Sequence, residues 1–263
     1  MEDKTQTQWS RKLQEMLDSF ETITLDKIEK VSLLDRAETK YVMNMQMLLD
    51  VLEDLSKYYK VLVVNDNKKN SYQTFYFDTP DFEMYRKHHN GLRNRYKVRT
   101  REYLDSQLLF TEVKFKNNKN KTIKKRIRRE DEEEIFIHKS KQFIQEKTPF
   151  SSEDLITVLK NNYSRITLIH KTDIERVTID LDMEFFDNAN KSVKFDNLVI
   201  VEIKQEKFSQ RSDFIRLMHD KKIRSTSFSK YCVGVSLLYD DVKTNNFKEK
   251  HLLVEKLTRG AEA

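Results

Sequence analysis

Between residues 93 and 128 the chain places charge at every second position, three times over. Arg93, Arg95, Lys97, Arg99 and Arg101 alternate with residues that include Tyr96 and Val98. Residues 110–116 then set Glu112, Lys114 and Lys116 against Val113 and Phe115. Residues 122–128 set Lys124, Arg126 and Arg128 against Ile123 and Ile127. Side chains alternate across a strand, so each segment, when extended, has one charged face and one apolar face. Like charges on one strand face lie roughly 7 Å apart and repel by about 2 kcal/mol at an effective dielectric near 20. Water screens much of this on an open sheet. One such strand is an ordinary solvated face; three in succession point to a site for a polyanion.

The glycines limit how a phosphate could be held. Gly91, Gly234 and Gly260 are the only three, and neither G-x-x-x-x-G-K nor G-x-G-x-x-G can be written with them. Side chains must therefore do the holding. A total of 49 basic against 43 acidic residues leaves a net charge of only +6, so the placement of charge matters more than its sum. Hydrophobic residues make up 38% of the chain, with sixteen Phe and eleven Tyr, enough for a core. The single cysteine, Cys232, excludes an intrachain disulfide, and the first residues lack a basic-then-apolar signal pattern. These features predict a cytoplasmic location. No run approaches eighteen apolar residues, so no membrane span is expected.

Along the chain, Trp9, Leu13, Met16, Leu17 and Phe20 recur at helical spacing and predict an N-terminal helical segment within 1–32 that packs on the main body. Residues 33–263 read as one domain. Strands are predicted around 36–42, 72–77, 172–182 and 198–204, with a helix over 43–59 and helices at 209–220, 229–240 and 244–257. Residues 131–170 read as mainly helical, with Ser151 or Ser152 as N-cap and the acidic run from Glu130 to Glu134 as a solvated helix start.

The charged faces repeat a second pattern, Glu-x-Lys: Glu38 with Lys40, Glu112 with Lys114, Glu202 with Lys204. Charges lining an open sheet in water are the simpler arrangement. If the strands instead close on themselves, the faces line an interior that is costly unless it holds an ionic ligand. The ordered set Glu38-Thr39-Lys40-Tyr41, Tyr76-Phe77-Asp78-Thr79-Pro80, Lys97-Val98-Arg99-Thr100-Arg101-Glu102-Tyr103, Thr111-Glu112-Val113-Lys114, Arg176-Val177-Thr178-Ile179-Asp180, Val201-Glu202-Ile203-Lys204 and Phe228-Ser229-Lys230-Tyr231 resembles the polyphosphate polymerase domain of the vacuolar transporter chaperone type, within the triphosphate tunnel metalloenzymes.

The resemblance implies an α+β fold: a closed antiparallel β-barrel with a charged lumen, surrounded by helices. It implies a phosphotransferase acting on ATP and inorganic polyphosphate with Mn²⁺ or Mg²⁺. Carried over by position, Lys40, Arg99, Arg101, Lys114, Arg176 and Lys230 are expected to act on phosphates, with Lys97, Arg126 and Lys204 as further lumen contacts and Glu202 on the metal. Arg36 stands where the wider superfamily often has a Glu, which counts against a water-attacking triphosphatase. None of the six histidines (His88, His89, His138, His170, His219, His251) falls on a charged strand face. A phosphate acceptor, already ionised, needs no general base, whereas water does.

The alternatives are a tunnel-type triphosphatase, a non-catalytic polyphosphate receptor, and a single-stranded nucleic-acid binder stacking bases on Tyr72, Phe75, Tyr76, Tyr96 and Tyr103. Nucleic acid is not expected, since alternation puts most of these aromatics on the face opposite the charges.

Overall fold

The alternating segments pair into one eleven-stranded, mostly antiparallel sheet. The computed structural model describes residues 4–28, 37–119, 121–129 and 138–259. In order these form α1 (Lys4–Asp18), β1 (Thr22–Thr24), α2 (Leu25–Ile28), β2 (Ala37–Asn44), α3 (Met45–Leu55), β3 (Tyr59–Val63), β4 (Lys69–Asp78) and α4 (Glu83–His89). Next come β5 (Arg95–Tyr103), β6 (Leu108–Lys116), β7 (Thr122–Arg129), α5 (His138–Lys147), β8 (Ile156–His170), β9 (Glu175–Phe186), β10 (Ser192–Phe195) and β11 (Leu198–Gln205). Helices α6 (Asp213–Asp220), α7 (Lys230–Leu238) and α8 (Lys248–Arg259) complete the chain. The main path runs β2-β11-β9-β8-β4-β5-β6-β7.

One face of the sheet is apolar and covered by helices. Tyr41, Met43, Val177, Ile179, Val199, Val201 and Ile203 pack against Leu13, Leu17 and Phe20 from the α1 region, Leu48 and Leu52 of α3, and Phe214 and Met218 of α6. Further along, Phe77, Val98 and Val113 meet Met84 of α4 and Phe143 and Ile144 of α5. Asn44 caps α3 by accepting from the Met47 N–H at 2.9 Å. Each core side chain taken fully out of water contributes about 1.5–3 kcal/mol, so this face fixes the strand parity and leaves the charges to the other.

That other face forms a trough. It is charged along most of its length but apolar where α7 lies in it. There Val42, Leu159, Met183, Phe185 and Ile200 pack on Tyr231, Cys232 and Val235. The change in character comes from a β-bulge. Asn162 faces Glu184 and Ser164 faces Leu181, so Asp182 and Met183 together oppose Tyr163, and Asp182 takes a left-handed φ of 53°. Before the bulge the even residues Arg176, Thr178 and Asp180 face the trough; after it the odd residues Met183 and Phe185 do. Gly234 lets α7 settle here, since a Cβ would come within 2.6 Å of Leu159 Cδ2 and 2.8 Å of Phe185 Cδ1.

Three expectations need correction. Hydrogen bonds do not close the sheet into a barrel: among the described residues β2 and β7 end the path without pairing to each other. The two ends meet instead through side chains, Lys114 Nζ of β6 standing 3.7 Å from Glu38 Oε2 of β2. Residues 131–170 are not mainly helical, because β8 occupies fifteen of them. This strand is central, pairing with β4 and β9 and largely buried. The spacing of Leu155, Ile156 and Leu159 reads as helix by periodicity, while the β-branched Thr157, Val158, Ile166, Thr167 and Ile169 favour strand. Ser151 does cap a helical turn, but a short one, Ser152–Asp154, accepting from the Glu153 N–H. Finally, the first charged strand starts at Arg95, because Asn94 adopts a left-handed φ of 54° and leaves Arg93 exposed outside it. Arg36 and the acidic run 130–134 lie outside the described residues.

Candidate active site

Cross-strand register determines which cations meet. Residues directly opposite in an antiparallel pair share a face, and β5 places Lys97 opposite Lys114, Arg99 opposite Glu112, and Arg101 opposite Phe110. β7 adds Lys124 opposite Lys114 and Arg126 opposite Glu112. Arg99 donates to Glu112 through Nε at 2.6 Å, and Lys124 pairs with the other carboxylate oxygen. Burial opposes charge on Glu112, which is 1% exposed, but Arg99, Arg101 and Lys124 hold its carboxyl well below the usual range.

A second group forms where β8, β9 and α7 converge. Arg165 grips Asp180 with two parallel bonds, Nε–Oδ1 at 2.5 Å and an Nη–Oδ2 contact at 2.8 Å. Lys230, in the first turn of α7, also donates to Asp180. Burial disfavours the Asp180 charge, yet Arg165 and Lys230 keep its pKa low. Tyr163 sits between the groups: Lys230 Nζ lies 4.4 Å from its ring centroid, Arg165 5.4 Å and Arg101 5.9 Å. Burial pushes its phenol up, but Arg101 and Arg165 pull it down further, so its pKa falls below the usual value. Its buried hydroxyl has no hydrogen-bond partner among the described residues.

Arg101 is buried without a direct ion pair. It is 6% exposed, and its one hydrogen bond is a 3.3 Å contact to Thr74 Oγ1. No carboxylate among the described residues lies within ion-pair distance of it. Burial and Arg99 disfavour the Arg101 charge, but Tyr163 and Glu112 at longer range hold its pKa above the usual value, and beside the orphaned Tyr163 hydroxyl it outlines a place for an anion.

The remaining expected residues lie further round the trough. Glu202 faces Lys40 on β2 and Thr178 on β9, and Lys204 faces Glu38 and Arg176. Both oxygens of Glu202 are taken, one by Lys40 and one by Lys204. Arg176 thus stands with the Glu202 group rather than with Arg101. Arg126 lies over the Phe110 ring at 4.4 Å. Lys97 donates to Ser229 Oγ at 2.8 Å, tying β5 to the residue that caps α7.

The donor set bears on a metal. Among the described residues no three His, Cys, Asp or Glu side chains stand together as a metal group. Glu202 could give a hard oxygen to a divalent ion if Lys40 or Lys204 moved onto a phosphate, with the other ligands coming from substrate oxygens and water. The fit is therefore to an ion that enters with a phosphate ligand, not to a preformed cage.

A family model for the VTC domain matches residues 35–239. The chain belongs to the VTC domain family. No curated protein matches its sequence significantly. Among solved structures, a Bacillus halodurans protein provisionally assigned as an adenylate cyclase superposes with a TM-score of 0.51 at 10% identity, covering 74% of this chain and 94% of that one. That likeness concerns the fold alone. A Vibrio parahaemolyticus protein with the same provisional assignment gives 0.43 at 12% identity, covering 74% and 95%. A Hippeastrum protein described as having a dominant triphosphatase activity gives 0.43 at 11%, covering 78% and 98%. No helix among the described residues of this VTC domain is long and apolar enough to cross a membrane.

Two prominent residues of this candidate site, Arg165 and Tyr163, are hidden from the sequence because their segment reads as helix. The signal was present as Tyr163-x-Arg165 flanked by β-branched residues. The aromatics also divide differently. Phe75 and Tyr96 join the core with Phe77 and Val98, as expected. Tyr72, Tyr76 and Tyr103 stand on the charged face: Tyr76 opposes Arg99, and Arg101 lies over the Tyr72 ring at 5.9 Å.

Crowding of cations has a measurable consequence. Burial lowers Lys97 to about 8, opposed by Cys232 and assisted by Lys114, Arg95 and Arg99. Lys124 falls to about 7 by burial, with Glu112 opposing and Arg99 and Arg101 assisting, but its side chain is 37% exposed and partly screened, so Lys97 is the firmer case. A lysine whose folded pKa lies below its unfolded value destabilises the empty protein at low pH, and the strain is relieved as pH rises through the folded value. Polyanion binding must do the reverse and restore the proton. Tripolyphosphate affinity is expected to fall by up to about tenfold per pH unit above pH 8, with proton uptake read from calorimetry in buffers of different ionisation heat. Lys97→Met should abolish that uptake; uptake unchanged in the variant would remove Lys97 as the source.

Proposed function

We propose that the protein is a polyphosphate polymerase that transfers the γ-phosphate of ATP to inorganic polyphosphate in the cationic trough. The observation that carries this reading is the convergence of Arg101, Arg165 and Lys230 on the ring of Tyr163, whose hydroxyl has no partner among the described residues, with Arg99 within its electrostatic influence. Membership of the VTC domain family supports it.

Phosphoryl transfer passes through a loose transition state, so positioning and charge stabilisation account for most of the rate. Arg99, Arg101, Arg165 and Lys230 would grip equatorial phosphate oxygens, and the Tyr163 hydroxyl would donate to another. Lys40, Lys114, Lys204 and Arg176 line the neighbouring stretch and would hold the acceptor chain. Glu202 would release one lysine to phosphate as it offered an oxygen to Mn²⁺ or Mg²⁺, which supplies charge neutralisation on the nucleotide phosphates. The terminal oxygen of the acceptor is ionised already, so no side chain need take a proton from it.

One observation favours a second reading, a tunnel-type triphosphatase: α7 fills one end of the trough with apolar side chains, which suits a short substrate better than a threaded one. Products separate the two. Purified protein with ATP and Mn²⁺ is expected to yield ADP and a ladder of long polyphosphate on a gel. Orthophosphate without a ladder would establish the triphosphatase, and neither product would overturn both.

A further inference from the structure

The trough carries a row of aromatic rings that a phosphate site does not require. From β6 across to β8 they run Phe110, Tyr103, Tyr72, Tyr163, with ring centroids 5.7, 4.9 and 5.2 Å apart in turn. All four share the cationic face. Phe110 is directly opposite Arg101 on β5 and Arg128 on β7, and Tyr103 is directly opposite Tyr72. Burial grades along the row: Tyr163 is 3% exposed, whereas Phe110 and Tyr103 are only half-buried. Arg126 and Arg128 beside Phe110 are exposed, and Arg126 already lies against its ring.

An aromatic ring left half open on a face of arginines is an unusual use of apolar surface. The other half of that face toward the β6–β7 turn carries Lys97, Lys114, Lys116 and Lys124 and no ring. The two ends of the trough therefore differ in kind. Toward the β6–β7 turn these strands present lysines, with α7 and the stacked pair Tyr76 and Tyr231 lying beside them; toward Phe110 they present half-open rings and planar guanidinium groups. Phosphate chains use only the first kind of surface. A base joined to a phosphate chain uses both.

We propose that Phe110, flanked by Tyr103 and Arg126, is the platform on which the base of a nucleoside triphosphate stacks, with the phosphates directed over Arg101 and Arg99 toward the lysine end. This rests on the reading of the trough as a phosphate site and adds to it the substrate's other half. Among the described residues no hydrogen-bonded side-chain pair is seen at Phe110, so the platform is expected to accept either purine by its face. Stacking on an aromatic side chain is sequence-tolerant in this way.

The test compares ligands that share a triphosphate and differ in the base: ATP, GTP and inorganic tripolyphosphate, titrated calorimetrically into the full chain. Phe110→Ala is expected to weaken ATP and GTP about tenfold while tripolyphosphate changes by less than about twofold. Phe110→Trp should keep nucleotide affinity and add an emission quenched by ATP and GTP but not by tripolyphosphate; Trp9, the chain's one tryptophan, is subtracted using the parent protein. Equal losses for all three ligands, or no loss for ATP, would overturn the platform while leaving the phosphate site standing. Failure of tripolyphosphate to bind the parent protein would instead overturn the phosphate site, and the platform with it.

Discussion

Arg101→Met will weaken tripolyphosphate and polyphosphate binding by about thirtyfold or more, yet leave the empty protein at least as heat-stable as the parent. The two halves of this outcome have one cause. Arg101 is buried and makes no direct ion pair, its charge being favoured only at longer range by Tyr163 and Glu112, so replacing it breaks no ion pair of the empty fold. A methionine, shorter but apolar and flexible, fills much of the space beside Tyr72 and Tyr163. Against a bound phosphate the same guanidinium forms a buried charge-assisted pair, whose loss costs about 2–5 kcal/mol. Calorimetric titration and thermal melts of the ligand-free protein read the two halves separately. A variant that melts early and binds normally would show Arg101 to be a structural residue.

Glu112→Gln should give the opposite pattern. Glu112 neutralises Arg99 and Lys124 from a position that solvent barely reaches. Breaking a buried ion cluster by removing one partner costs about 3–5 kcal/mol, which for a chain of this size is a fall in melting temperature of roughly 6–20 °C. Because the carboxyl pKa is depressed, the parent shows a related loss on acidification: the stabilisation is present above the unfolded value and fades as pH falls toward the folded one. Tripolyphosphate should restore most of the lost stability in the variant, since its oxygens can take the place of the missing charge. Ligand at a hundred times its Kd adds about 2.7 kcal/mol. Equal destabilisation with and without ligand would show that Glu112 holds the strands together in a way phosphate cannot replace.

Much of this was written in alternation. The charged faces of β5, β6 and β7, and the Glu-x-Lys pairs of β2, β6 and β11, follow from period-two spacing, and the register brings Lys40, Glu202 and Lys204 together without further information. What alternation could not convey was a change of parity. The bulge at Asp182 moves Met183 and Phe185 into the trough, and no local spacing announces it. Nor does a strand buried on both faces alternate, which is why β8 looked helical and hid Arg165. The same blindness hides the side of Tyr72 and Tyr76, whose face is set by pairing of β4 with β5; Tyr103 shares its parity with Arg99 and Arg101, so its place on the charged face is legible within β5. Closure is a tertiary property of the same kind, decided by how the ends of the sheet meet rather than by any one strand.

The carboxylates of the trough have a consequence beyond stability. Glu112, Asp180 and Glu202 are each held by two cations, so an incoming anion competes with the wall's own counter-charges, as on an exchange resin. Orthophosphate, touching one such station at a time, gains little by displacing its resident. A linear polyanion reaching several stations at once displaces them together, and selection by valency follows from the wiring of the wall without any contact that measures length.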